Sequence, residues 1–142
     1  MAKERATAAQ RRKVLARAKW RCEYCRTPEP FVPDPFAVEH IIPSSKGGKT
    51  HLNNLASACQ ACNGRKYNKV AGFDPLTQEL APLFNPRKQR WQDHFTWSED
   101  GFLIIGLTPT GRATVDTLKM NHRKIVNLRR ILVIAGLHPP KE

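Results

Sequence analysis

An α+β fold is expected for this 142-residue chain, on three observations. Cys-x-x-Cys occurs twice, as Cys22/Cys25 and Cys59/Cys62, and uses every cysteine. Between the pairs an apolar segment stops at Pro43, and a basic helix follows the second pair. Beyond residue 72 the pattern changes to a hairpin and two helices. Residues 1–71 therefore read as a basic helix plus a small β-β-α unit clipped by four cysteines. Residues 72–142 read as a C-terminal extension packed on that unit as one domain.

Residues 3–20 form the first helix: Ala6, Ala9, Val14, Leu15 and Ala18 lie among Arg5, Arg11, Arg12, Lys13, Arg17 and Lys19. Val14, Leu15 and Trp20 are expected on the core, with the basic face toward solvent or a phosphate backbone. Residues 21–26 make the first knuckle. Four prolines in 27–35 exclude regular structure there. Residues 36–42 read as a strand, and 44–50, with Gly47-Gly48, as a turn. The second knuckle leads into a helix carrying Asn63, Arg65, Lys66 and Lys69.

Proline-punctuated residues 72–90 are expected to be irregular, with Asp74-Pro75 as a turn or a cap. Residues 94–97 and 102–107 flank Ser98-Glu99-Asp100-Gly101 as a β-hairpin. Thr108-Pro109 is an N-cap with proline at N1, opening a helix to about residue 120. Asn121 is expected to cap a last helix in which Ile125, Leu128, Ile131, Leu132 and Ala135 recur at helical spacing; Gly136 and Pro139 end it.

The cysteines bound the chemistry. Two knuckles complete a tetrahedral, all-thiolate Zn2+ site, which a core this small can use. The alternative, two disulfides, needs an oxidising compartment, and Met1–Arg21 offers no apolar signal-peptide segment, so a cytoplasmic location is expected. No window approaches the ~18 apolar residues of a membrane span. Net charge is +12, from 24 Lys and Arg against 12 Asp and Glu, with pI near 10.1. So basic a chain is expected beside a polyanion, and a nucleic acid is the usual one.

Between the knuckles lie residue types that activate water and bind a hard metal. A histidine titrates near neutrality, so His40 suits a general base. Its neighbour Glu39 points to the opposite face of an extended strand, and both reach one phosphate only at a strand end or bend. Asn63 follows Cys62 directly, so the knuckle dictates its position. A carboxylate from Glu39, an amide oxygen from Asn63 and several waters suit Mg2+ or Mn2+ better than Zn2+. Two unlike sites are thus expected, a closed structural one and an open one.

Glu39-His40-Ile41-Ile42-Pro43, Gly47-Gly48, Asn54-Leu55 and Cys59-x-x-Cys62-Asn63-x-x-Lys66 resemble the HNH endonuclease family in its zinc-knuckle, ββα-metal form, over residues 22 to about 70. Residues 82–87, 91–95 and 111–115 also resemble the tail of bacterial members. The resemblance implies metal-dependent hydrolysis of DNA phosphodiesters, leaving 5′-phosphate and 3′-hydroxyl ends. By position it makes His40 the general base and Asn54 the asparagine that braces the loop and orients His40. Glu39 and Asn63 become ligands of the catalytic ion, and Asn63 stands where many members have a second metal-binding histidine. Lys66, with Arg65 and Lys69, would contact phosphates.

His51, His94, His122 and His138 read first as structural or surface residues. Asn53 could form a simple turn; Asn54 is preferred for its place before Leu55. Trp91, His94 and Trp97 are expected to pack round the hairpin rather than stack on bases, and Arg129-Arg130 to be a solvated helix face. DNA is the expected partner, for a monomer or weak homodimer taking specificity from another protein if it has any. The competing reading is a non-catalytic zinc-dependent nucleic-acid-binding module, in which His40 and Asn54 are scaffold.

Overall fold

A computed structural model of the chain describes residues 4–141; residue 3 of the expected first helix lies outside them. The fold is α+β, as the sequence predicts, with three two-stranded antiparallel sheets among the described residues. The chain divides into two compact units, residues 1–70 with 85–89 and residues 71–84 with 90–142.

In the first unit, α1 (Ala8–Arg17) starts at a capping box: the Thr7 hydroxyl accepts from Gln10 N, and the Gln10 side chain accepts from Thr7 N. A cap of this kind contributes about 0.5–2 kcal/mol. Val14, Leu15 and Ala18 are buried, but Trp20 is 47 % exposed. The helix stops short of Trp20 because Lys19 and Trp20 are both left-handed, with φ of 54° and 58°. The indole therefore leaves the helical stripe on which the sequence placed it.

The proline-rich stretch holds one 3-10 turn, Glu29–Phe31. Strand β1 (Ala37–His40) then pairs antiparallel with β2 (Leu55–Ala58), Glu39 opposite Ala56 and His40 opposite Leu55. Helix α2 (Gln60–Lys66) follows, capped by Cys59, whose Sγ accepts from Cys62 N. Both α1 and α2 pack on the hairpin. All four residues of β2 are buried, so this strand lacks the polar-apolar alternation that marks a half-exposed one.

The second unit contains an element the sequence concealed. Residues 72–90 were expected to be irregular, yet β3 (Ala71–Phe73) and β4 (Leu80–Pro82) form a hairpin. Proline at the end of so short a strand and glycine in its partner hide the β pattern. The turn at Asp74-Pro75 is as expected. The Asp74 carboxylate accepts from Leu76 N at 2.9 Å and from the Thr77 hydroxyl at 3.1 Å, and takes a bidentate pair from Arg112, 2.9 Å on each oxygen.

One short helical turn, α3 (Trp91–His94), precedes the second hairpin, β5 (Phe95–Trp97) with β6 (Ile104–Gly106). Helix α4 (Pro109–Thr117) opens at the Thr108 cap with proline in its first turn, as read from the sequence, and packs on β6 and on the β3–β4 hairpin. The close approach requires glycine at 111, where a Cβ would sit 2.0 Å from His94 O.

The last helix, α5 (Arg123–Ile134), is capped by His122 rather than Asn121. The Asn121 amide instead brackets β6, accepting from Ile104 N at 2.8 Å and donating to Ile104 O at 2.9 Å. Arg129 is also a correction: it is buried, donates to Phe102 O and Met120 O, and lies over the Trp97 ring. Its neighbour Arg130 is exposed. The buried side of α5 is Val126, Arg129 and Leu132, while Ile131 and Ile134 face outward. Trp91 packs against Phe95 and Trp97, at 5.1 and 5.4 Å between ring centroids; Trp91 and Phe95 are buried and Trp97 half-buried, so they pack round the hairpin as expected. Among the described residues, no helix is long and apolar enough to cross a membrane.

The Arg112 guanidinium holds the Asp74 carboxyl down at about 2. A depressed carboxylate contributes stability that is present above its unfolded value, near 4, and lost as pH falls through the folded value. The second unit should therefore lose stability between about pH 4 and pH 2. Acid unfolding followed by circular dichroism should show Asp74→Asn less stable at neutral pH and without this drop.

Candidate metal centre and strand-end site

The four cysteines converge. Cys22, Cys25, Cys59 and Cys62 are all buried and unbridged, and their Sγ atoms lie within 4.8 Å of one another. Cys25 Sγ and Cys59 Sγ are 3.7 Å apart, close to the roughly 3.8 Å edge of a tetrahedron with zinc–sulfur bonds of about 2.3 Å. In each knuckle the backbone folds back on its first sulfur: Cys25 N donates to Cys22 Sγ at 3.5 Å and Cys62 N to Cys59 Sγ at 3.4 Å. These donors stabilise thiolate.

Burial pushes the Cys22 thiol up, while hydrogen bonds from Cys22, Cys59 and Cys62 hold Cys25 well down. Four thiolates this close in a buried site repel one another and need a cation to carry their charge. A soft divalent cation removes that conflict, and the donor set fits structural Zn2+.

The other expected residues lie along the β1–β2–α2 unit. His40 ends β1 and is 4 % exposed; its Nε2 shares a 2.8 Å hydrogen bond with Thr50 Oγ1. Asn54 braces the loop that leaves the strand. Its Oδ1 accepts from Ile42 N at 2.9 Å, and its Nδ2 donates to Ile42 O at 3.0 Å and to Lys49 O at 2.9 Å. Its own carbonyl accepts from Ile41 N at 2.9 Å. The loop closes so tightly that a Cβ on Gly48 would lie 1.7 Å from Ile42 O, and Gly47 is left-handed at φ 88°. The Gly-Gly pair is therefore a steric requirement of this turn.

Glu39 faces elsewhere. It is 3 % exposed; its Oε1 accepts from the Tyr24 hydroxyl and its Oε2 pairs with Lys66 Nζ at 3.1 Å. Burial first, then the adjacent carboxylate, pushes the Tyr24 phenol up, which keeps it a donor. Lys66 is 1 % exposed and also donates to Ile41 O at 2.7 Å. Its expected role as a phosphate contact is corrected, because its ammonium is enclosed in the core. Glu39 likewise differs from the open ligand expected, since both oxygens are occupied by protein groups.

Asn63 sits half-buried in the first turn of α2, where the Cys59 cap sets it. Arg65 is half-buried and Lys69 exposed, the Lys69 ammonium donating to Arg65 O. Lys46 and Lys49 on the braced loop are exposed as well. A second buried carboxylate, Glu23 inside the first knuckle, accepts from Ser57 N at 2.8 Å and pairs with Arg87.

Thr50, Tyr24 and Arg87 were not singled out in the sequence. Hydroxyls and lone arginines carry no spacing signal; pairing revealed them.

Residues 22–69 match the family model described as HNH endonuclease. No curated protein and no solved structure matches the chain.

Two outcomes test this geometry. Metal analysis of the purified chain should return one zinc per molecule, and chelation or Cys59→Ser should unfold the first unit, since metal binding and folding are coupled in such sites. Asn54→Ala removes three loop hydrogen bonds, at about 0.5–1.5 kcal/mol each, and should lower the thermal midpoint while leaving zinc content unchanged.

Proposed function

With residues 22–69 matching the HNH endonuclease family, we infer that the chain is an endonuclease that hydrolyses phosphodiester bonds in DNA, with His40 as the general base. The observation that carries this reading is the coincidence of that match with the strand-end histidine, set at an asparagine-braced loop in the same compact unit as a four-cysteine cluster.

Charge supports a nucleic-acid substrate. Residues 1–70 and 85–89 hold 16 of the 24 Lys and Arg but 5 of the 12 Asp and Glu, a net +11, whereas the other unit nets +1. Almost the whole excess lies on the unit that carries His40, where it raises the local concentration of phosphate and screens its charge.

In the proposed reaction His40 accepts a proton from water as that water attacks phosphorus. The hydrogen bond between Nε2 and Thr50 Oγ1 holds the ring in place, and the neutral imidazole is the base. Asn54 holds the loop that sets Thr50 and His40 against each other. Because His40 is 4 % exposed, catalysis requires the side chains covering it to move aside when DNA binds. Lys46, Lys49 and Lys69 are the exposed cations assigned to the phosphate backbone, with Arg65 beside them.

A divalent ion such as Mg2+ or Mn2+ supplies charge stabilisation at the scissile phosphate and leaving oxygen in reactions of this class. The expected pair for holding it, Glu39 with Asn63, does not fit as arranged, because Glu39 is buried with both oxygens engaged. The enclosure of Glu39 and His40 also favours the second reading, a zinc-dependent nucleic-acid-binding module without catalysis.

Supercoiled-plasmid cleavage separates the two. The zinc-loaded wild type should nick plasmid, one active site per chain giving single-strand cuts. His40→Ala should lose roughly 10²–10⁴-fold in rate with zinc content and DNA affinity retained. Parallel reactions with Mg2+, Mn2+ and a chelator too weak to strip the thiolate site read the metal requirement. Binding without cutting by the wild type in every condition would transfer the chain to the binding-module reading.

A further inference from the structure

The enclosed pair on Glu39 has its own chemistry. A carboxylate buried in a protein interior needs a cation or several donors, and a hard divalent ion would bring its own oxygens and waters. Here the carboxylate is satisfied from inside the chain: a phenol on Oε1, and on Oε2 an ammonium that also donates to Ile41 O. The three partners come from three elements. Tyr24 lies between the first two cysteines, Glu39 on β1, and Lys66 at the end of α2. Cys62 and Lys66 are four residues apart, so they share one face of α2. The helix face that delivers a sulfur to the metal therefore delivers the ammonium to Glu39 one turn later.

We propose that Lys66 is the resident cation of the Glu39 carboxylate, holding with an ammonium the place a divalent ion would take, so that Glu39 is a positioning residue for β1 and His40 and not a metal ligand. The pair ties both zinc knuckles to the strand end. Glu39 is anchored on one side through Tyr24 and on the other through Lys66, and the next residue along the strand is His40. The proposal concerns what neutralises Glu39 and does not depend on the chain being a nuclease, so its test reads metal binding and folding rather than cleavage.

The experiment titrates Mn2+ into the zinc-loaded full chain, with calorimetry for affinity and thermal unfolding for stability. Wild type, Glu39→Gln, Lys66→Met and the double variant are compared. Glu39→Gln keeps acceptor and shape, and should leave Mn2+ affinity unchanged, including the case where neither protein binds Mn2+. Lys66→Met strands the carboxylate; its thermal midpoint should fall and should then rise on adding Mn2+, which gains access to the vacated oxygen. The double variant should recover its midpoint without Mn2+ and should not respond to it. A loss of Mn2+ affinity of about tenfold or more in Glu39→Gln would overturn the proposal. So would a Lys66→Met protein that melts like the wild type and ignores Mn2+. Should Lys66→Met fail to fold, the wild-type and Glu39→Gln titrations decide the matter alone.

Discussion

Four sulfurs held within 4.8 Å of one another set the terms for the first unit. They are buried, close enough to compete for protons, and supported by backbone donors that favour thiolate. Such an arrangement is stable when a cation takes the charge. Once it does, much else is fixed. Cys59 becomes the cap of α2, Asn63 falls in that helix's first turn, and Tyr24 and Glu23 are turned inward beside the first pair of sulfurs. A core of α1, one two-stranded hairpin and a seven-residue helix is small for independent stability, and a metal on the four sulfurs would close the long loop between its two halves.

Buried charge forms the next layer. Glu39 with Lys66, and Glu23 with Arg87, put two carboxylates and two cations in the interior of this unit. Removing one partner of such a pair costs about 3–5 kcal/mol, because the remaining charge is left without compensation, while the intact pair contributes little net stability. Their value is geometric. A methyl-lined core tolerates sliding of a four-residue strand, whereas Glu39 anchored at both oxygens does not. The same logic applies to Asn54, whose amide leaves the loop after Ile42 one way to close.

The second unit is built differently, from two hairpins, the short turn α3 and the helices α4 and α5, with no cysteine, and it carries almost none of the excess positive charge. Its own buried ions, Asp74 with Arg112 and Arg129 with backbone carbonyls, secure turns and helix ends. Charge and the candidate site thus lie together on one unit.

Spacing carries information that survives without coordinates, and pairing does not. Two Cys-x-x-Cys pairs, the strand-end His40, the Gly-Gly turn and the Thr108-Pro109 start of α4 were legible because each depends on residues near in sequence. Local sterics and the ligand geometry of one metal constrain them. Strand β2 and the β3–β4 hairpin were obscured, since a fully buried Leu-Ala-Ser-Ala and a pair of three-residue strands carry no period. The sequence by itself determined the α+β class, the four-cysteine cluster and the family pattern of residues 22–69. Only the tertiary structure decided that Lys66 turns inward to Glu39, that Thr50 meets His40 and that Arg129 is buried, because a side chain's electrostatic partner is chosen by proximity in the folded core.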